Sequence, residues 1–364
     1  MTYYMDGGLT LQINLKSLCN LDCDYCLLPK HVKSQKDSTS VILDNTRLLI
    51  EKIKSENLFI KAFAIFGAEP FTVEPEIMAE VLNLIHEAYP DTHLRIQTNG
   101  TLCTTKYMFK FLAVFNYHDR LNLGFSLDGV RDIHNKHRCN SWDLAVGNFL
   151  WIKQHTVINT NVICTTNNEH FDKPEYEAEL LEFITVMHNN FNTPVNIAYA
   201  DLTIRGVGDS HIGESLFSKR FANFLIKNNL FMSCNKMFHT GYCYRKGNSC
   251  DKTLFDLNDG KTYQCEKKFA PDNDFIIWKD KTIAEVMDAR VNETKDYPIA
   301  EECNTCEYWD WCNGGCPVKR DVNGLATSCY VTKTVLDHIK TNINPDWRAY
   351  LERREVADES NTNN

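Results

Sequence analysis

No stretch of this 364-residue chain is apolar for long enough to cross a bilayer as a helix. Its beginning, MTYYMDGGLTLQINLKSLC, has neither a positively charged opening nor the apolar run that marks an export signal. Basic residues are in the minority: 39 Lys and Arg face 48 Asp and Glu, for a net charge of −9. No basic or aromatic stripe stands out, which argues against a nucleic-acid groove. Internal repeats are missing as well. These absences lead to the expectation of a cytoplasmic, soluble chain with neither nucleic-acid nor membrane partners. Hydrophobic residues at 43% supply a sizeable core, and two domains are expected.

What the chain has in excess is cysteine, 15 residues of it. A secreted disulfide scaffold would use cysteine as heavily but is usually far shorter, so reduced thiols and metal ligation are expected. Cys19, Cys23 and Cys26 stand in the run CNLDCDYC with C-x3-C-x2-C spacing. A 4Fe-4S cluster ordinarily takes four thiolates, so a tight set of three suggests a cluster with one iron left open for a substrate or cofactor. The plainer alternative is a zinc knuckle or three buried thiols.

This spacing, with Tyr25 just before the third cysteine, resembles the signature of the radical S-adenosylmethionine (SAM) enzymes. The resemblance implies that the open iron binds the amino and carboxylate groups of SAM. An electron from the cluster then cleaves a C–S bond, giving a 5'-deoxyadenosyl radical that takes hydrogen from the substrate. Other parts follow in order. KAFAIFGAEPF reads as a strand over 63–66 that breaks at Gly67 and runs through Glu69 and Pro70 into an amphipathic helix carrying Ile77, Val81, Leu82 and Ile85. It is similar to the family's GGEP motif, which implies that Gly67 and Glu69 hold the SAM amino group; Ala68 departs from the second glycine. LRIQTNG, 94–100, ends in polar Gln97, Thr98 and Asn99, and LNLGFSLDG, 121–129, ends at Ser126 and Asp128. Polar strand ends are what a barrel-type active site uses, and Ser126 joins the expected cofactor-binding set. HNKHR, 134–138, resembles a motif of the SPASM-bearing branch and implies Arg138 as the ligand of the SAM carboxylate, a role its planar fork suits. With strands in NTNVICTTNN and PVNIAYADL, six strand-plus-helix units give an α/β chain, the partial (β/α)6 TIM-type barrel that the family implies.

The last third is a second cysteine field. Cys250, Gly260 and Cys265, then Cys303-x2-Cys306-x5-Cys312-x3-Cys316 and Cys329, resemble the seven-cysteine SPASM pattern, and Cys243 adds an eighth thiol. Eight thiolates fill two 4Fe-4S clusters. The resemblance implies Cys243, Cys250, Cys265 and Cys316 for auxiliary cluster I, and Cys303, Cys306, Cys312 and Cys329 for auxiliary cluster II, three clusters in all. A zinc ribbon also accommodates CNTC with a later C-x3-C. The expected organisation is a barrel over 1–205 and a Gly-rich linker with a bridging helix over 206–234, its helical period running through 216–231. A SPASM domain over 235–335 follows, then a C-terminal helix and disordered polar tail over 336–364. Residues 1–18 are too short for a separate peptide-recognition domain.

SPASM-bearing relatives mostly modify peptides or proteins, and two subgroups fit this layout. Anaerobic sulfatase-maturing enzymes oxidise a Ser or Cys to formylglycine and carry Asp straight after the second SPASM cysteine, where this chain has Glu266. The GAEP variant and the CEYWDWCNGGCP run look more like peptide maturases. The reading taken is a maturase that abstracts hydrogen from a ribosomally made precursor peptide and installs a carbon-carbon or thioether crosslink. Glu266 is its expected base, and flavodoxin or ferredoxin its electron donor. Formylglycine formation is the alternative. A third reading, an iron-sulfur electron carrier without radical chemistry, would call for a fourth thiol in the first triad.

Overall fold

Parallel strands cannot be joined by tight turns; each needs a crossover, and this chain supplies helices for them. The computed structural model describes residues 9–26, 39–199, 215–233, 245–246, 249–250, 253–263, 275–294, 297–316, 320–321 and 323–353. Six strands open the fold: β1 Leu9–Asn14, β2 Ile60–Ile65, β3 His93–Thr98, β4 Leu121–Ser126, β5 Asn159–Thr166 and β6 Val195–Tyr199. Each pairs in parallel with the next. Between them run α1 Thr39–Ser55, α2 Pro75–Ala88, α3 Thr105–Leu112, α4 Arg131–His137, α5 Trp142–His155 and α6 Pro174–Phe191. β6 ends the sheet without returning to β1, which makes the arc the expected open, partial barrel.

One face of the arc is apolar and lies under the helices. Leu94, Ile96, Leu121, Leu123, Phe125 and Val162 are fully buried there. Phe125 meets Phe149 of α5 edge-on at 5.4 Å between ring centroids, and Phe149 meets Phe191 of α6 at 5.7 Å. α2 turns Val81, Leu82 and Ile85 inward as its periodicity predicts, with Pro75 at its first turn.

Boundaries differ from the sequence reading where pairing or caps decide them. β2 begins at Ile60 rather than at 63 because Ile60 and Ala62 pair with Leu9 and Thr10 of β1. The helix expected over 216–231 is α7 Leu216–Lys227. Asn229 takes a left-handed conformation (φ 55°), and the Leu230 amide turns back to the Leu225 carbonyl at 2.8 Å, which closes the helix early. Residues 205–214 of the expected linker and the tail 354–364 lie outside the described residues.

The sheet does not stop at the barrel. After the short pair β7 Arg245–Lys246 and β8 Ser249–Cys250 come β9 Leu254–Asp256, β10 Lys261–Tyr263 and β11 Ile276–Ile277. β9 pairs in parallel with β1, Gln12 opposite Leu254 and Asn14 opposite Asp256, so nine strands form one sheet across the boundary expected near residue 235. Helix α8, Ile283–Thr294, begins on the Glu56 carboxylate, which accepts from the Ile283 and Ala284 amides at 2.6 and 2.9 Å. A negative group at a helix N-terminus is favourable. Its buried Arg290 donates to the Thr262 carbonyl of β10 at 2.5 Å. Short α9, Trp309–Cys312, and α10, Cys329–His338, follow, and helical backbone continues in a wider turn at Ile339–Ile343 and again over 347–353; α10 starts earlier than the helix expected from 336. Among the described residues no helix is long and apolar enough to cross a membrane.

Phe149 is fully buried between two aromatic partners. Phe149→Ala should cost about 3–5 kcal/mol in urea unfolding, as other large-to-small core changes do. A loss below about 1 kcal/mol would show that the helix layer repacks freely.

Candidate functional site

β1 and β2 meet at a backbone crossing that allows no side chain. The Phe66 amide donates to the Ile13 carbonyl at 2.8 Å, and Gly67 follows at φ +125°. A Cβ there would lie 1.9 Å from Asn14 Oδ1. Asn14 cannot yield easily, since its Nδ2 donates to Asp256 Oδ2 at 2.8 Å and to Ser17 Oγ at 3.2 Å. Gly67 is therefore required by close approach. Ala68 has room: it packs with Cys26 against Leu254 and Tyr263, so the added methyl fills space rather than straining the turn.

Glu69 is buried, and the chain occupies its carboxylate. Oε1 accepts from the Phe71 amide at 3.0 Å and the Thr98 hydroxyl at 2.7 Å, and Oε2 from the Asn99 amide at 2.7 Å. The side chain is thus a staple between the ends of β2 and β3. Burial pushes its carboxyl up to about 7, against these hydrogen bonds and the Arg138 charge.

The triad Cys19, Cys23 and Cys26 lies on the loop after β1. The Cys26 amide donates to the Cys23 carbonyl at 3.1 Å, a tight turn, and Asn99 Nδ2 donates to Asn20 Oδ1 at 2.9 Å, tying the loop to the end of β3. On its other side the Asp24 amide reaches the His137 carbonyl at 3.1 Å. Burial pushes the Cys23 thiol up to about 12; Arg138 opposes this, and the neighbouring Cys26 and Cys19 add to it. Three neighbouring cysteines whose thiolates would repel one another are a donor set that a cationic iron group would satisfy. Among the described residues, no three His, Cys, Asp or Glu surround a single metal-ion position.

Beside the triad stands a buried ion pair. Arg138, just past the end of α4, donates through Nε to Asp128 Oδ2 at 2.9 Å. The Tyr25 phenol donates to the same oxygen, and the guanidinium sits 5.2 Å from the Tyr25 ring centroid. Asp128 Oδ1 accepts from the Thr165 amide at 3.1 Å, and its carbonyl accepts from His170 Nε2 at 2.7 Å. The Asp128 amide donates to His134 Nδ1 at 3.2 Å, so the proton of that ring is on Nε2, which faces Ser141 Oγ at 3.0 Å. Burial alone would raise the Asp128 carboxyl, but the Arg138 charge and the Tyr25 hydrogen bond hold it below the usual range. Burial brings His134 down to about 4, which keeps it neutral. The terminal nitrogens of Arg138 make no hydrogen bond among the described residues and are free to take a ligand carboxylate. Ser126, at the end of β4, accepts from Gln97 Nε2 at 3.0 Å.

Sequence reasoning named Arg138 but missed the tyrosine and aspartate that hold it. Their signal was Asp128 at the polar end of a strand, ten residues before Arg138, with the aromatic Tyr25 placed between two cysteines.

The C-terminal thiols separate into a group that meets and others that do not. Cys303, Cys306, Cys312 and Cys329 line one cavity with Tyr308, Trp309 and Lys333. Burial raises the Cys303 thiol, with Cys312 and Cys306 adding to it. Burial pushes Cys329 up to about 11, against Lys333 and with Cys312 and Cys303. Cys316 is not among the lining residues. Cys250 lies in β8 with only its backbone described, and Cys243, Cys265 and Glu266 lie outside the described residues.

Glu69 yields a pH test. Its carboxyl takes the ordinary 4.5 in the unfolded chain and about 7 in the folded one. The folded state then binds the proton more tightly, so this stabilisation is complete below 4.5 and lost as pH rises through 7. The expected loss is about 3 kcal/mol. It is read as the difference in pH slope of unfolding free energy between wild type and Glu69→Gln; equal slopes would mean that Glu69 keeps its ordinary proton affinity.

Residues 13–181, which run from β1 into α6 and take in the triad, Glu69 and Arg138, match the family model of the Radical SAM superfamily. Over 342 residues the chain is 23% identical to the cysteine-type anaerobic sulfatase-maturating enzyme of Clostridium perfringens (strain 13 / Type A), a match covering 83% of this chain and 87% of that enzyme. The solved structure of native anSMEcpe with bound AdoMet has a TM-score of 0.71 at 18% identity, over 95% of this chain and 100% of that one. Streptococcus suis SuiB bound to precursor peptide SuiA has a TM-score of 0.62 at 13% identity, over 89% and 76%. Identities this low carry the fold alone. With the cysteine triad on the loop after β1 and an open parallel barrel, residues 13–181 form a radical SAM domain.

Proposed function

We propose that this chain is a SAM-dependent maturase acting on a side chain of a peptide or protein. The observation that carries the reading is Arg138, held by Asp128 and Tyr25 beside the triad, with its outer nitrogens open. In this reading Cys19, Cys23 and Cys26 hold a 4Fe-4S cluster, and Arg138 takes the SAM carboxylate. Gly67, Glu69 and Ser126 shape the rest of the SAM site. Together the bound cluster and SAM would supply an electron and a radical able to abstract hydrogen. The chain's own part is placement. Asp128 and Tyr25 fix the plane of the guanidinium, and Glu69 locks the two strand ends that face it.

Two auxiliary clusters belong to the proposal. Cys303, Cys306, Cys312 and Cys329 would hold one, supported by their shared cavity. Cys243, Cys250, Cys265 and Cys316 would hold the other, with Glu266 next to Cys265 as the base. A crosslink removes two hydrogens from the peptide: one leaves as an atom, and the other as a proton to Glu266 with its electron passed to an auxiliary cluster. Flavodoxin or ferredoxin would supply the first electron, in the cytoplasm.

Crosslinking of a precursor peptide is favoured by Glu266 standing where sulfatase maturases have Asp. Formylglycine formation is the second reading, supported by likeness along most of the chain to a sulfatase-maturating enzyme. Product mass separates them on a cysteine substrate: a crosslink loses only hydrogen, whereas formylglycine also loses the sulfur.

Arg138→Lys keeps the charge and loses the fork. SAM affinity should fall about tenfold or more with iron content unchanged. Replacing Cys19, Cys23 and Cys26 together by Ala should remove about four iron per chain and abolish SAM cleavage. Undiminished SAM affinity in the first variant, or full iron in the second, would sink the assignment.

A further inference from the structure

Helix α10 begins on a thiol. Cys329 is its first residue, and Lys333, four residues on, stands one turn along the same face. That spacing brings Lys333 to the cavity shared by Cys303, Cys306, Cys312 and Cys329, where it is the one cation in a lining that holds neither Asp nor Glu among the described residues. Glu302, the acid whose charge reaches Lys333, is exposed.

Other cations of this region are engaged elsewhere. Arg320 donates to the carbonyls of Gly314, Pro298, Asn313 and Gly315 at 2.9, 3.1, 3.2 and 3.3 Å, and so clasps the turn between Cys312 and Cys316. Lys340 pairs with Glu307 at 2.5 Å and Arg348 with Asp310 at 3.3 Å. Lys333 makes no hydrogen bond or ion pair among the described residues. Burial alone would lower its ammonium, but the charges of Cys329, Cys306, Glu302 and Cys303 push it above its ordinary value. Its charge therefore faces the thiols and nothing else within bonding distance.

Four thiolates outweigh the charge of the iron core they bind, so a cluster held here is an anion and becomes more negative with each electron it takes. A fixed positive charge beside it favours the reduced form over the oxidised one, a lever by which a protein sets such potentials. We propose that Lys333 raises the reduction potential of the cluster held by Cys303, Cys306, Cys312 and Cys329 and so fits that cluster to accept an electron. This rests on the cluster assignment of the proposed function and adds the residue that tunes it. In the crosslinking step the substrate radical gives up one electron and one proton; the proton goes to the base, and the electron reduces this cluster.

The test is a redox titration of the full chain, reconstituted with iron and sulfide without air and followed by electron paramagnetic resonance. Replacing Cys303 and Cys306 together by Ala should remove about four iron per chain and identifies this cluster's signal as the one that disappears. Lys333→Met, similar in length but uncharged, should keep full iron and unchanged SAM affinity. It should move the reduction equilibrium of that signal alone about tenfold toward the oxidised form, a fall of about 59 mV for one electron. Lys333→Arg should restore the wild-type midpoint. An unchanged midpoint in Lys333→Met, or a shift in a different signal, overturns the inference and leaves the proposed function standing. The same fall in Lys333→Arg also overturns it, since shape rather than charge would then be at work. Loss of iron from Lys333→Met does so too, because the lysine would hold the cluster rather than tune it. Full iron in the double cysteine variant overturns the cluster assignment itself.

Discussion

The site depends on a charge pair sealed inside the protein. Arg138 and Asp128 are both under one-tenth exposed, and taking two ions out of water is repaid only when geometry is good and the remaining lone pairs are used. Asp128 meets that condition: Arg138, Tyr25 and the Thr165 amide take its carboxylate, while His134 and His170 hold its backbone. Those partners come from the cluster loop, α4, β5 and the turn after β5. One carboxylate thus sets the relative position of several elements that share no strand pairing. Removing it would leave Arg138 buried with no counter-charge, the costlier way to break such a pair.

Glu69 works similarly one strand away. A buried acid that accepts three hydrogen bonds from its own chain is a structural fastener, whatever else its motif does. The loops it secures are those that carry Asn99 and, through Asn20, the first cysteine's turn. Precision at the mouth comes from buried polar groups that hold one another in place, and the apolar layer under the helices supplies bulk stability.

Much of this was legible from spacing. The strand-helix alternation, the triad and Gly67 follow from local runs; the grouping of Cys303, Cys306, Cys312 and Cys329 came from the resemblance, and the fold brings those four to one cavity. What sequence could not show was long-range. Asn14 and Asp256 stand 242 residues apart, and no periodicity announces that β9 will pair with β1. Helix ends were misjudged where a single Asn in a left-handed conformation, Asn229, outweighed a continuing apolar pattern.

The pairing of β9 with β1 has a further consequence. Were the chain to end before residue 253, β1 would become a bare edge, with the backbone groups of Gln12, Ile13 and Asn14 exposed in register for another strand to join. The C-terminal third therefore acts as a guard on the barrel's open side. Its loss would invite stacking between molecules, so the two halves of this chain are bound to be made, folded and kept together.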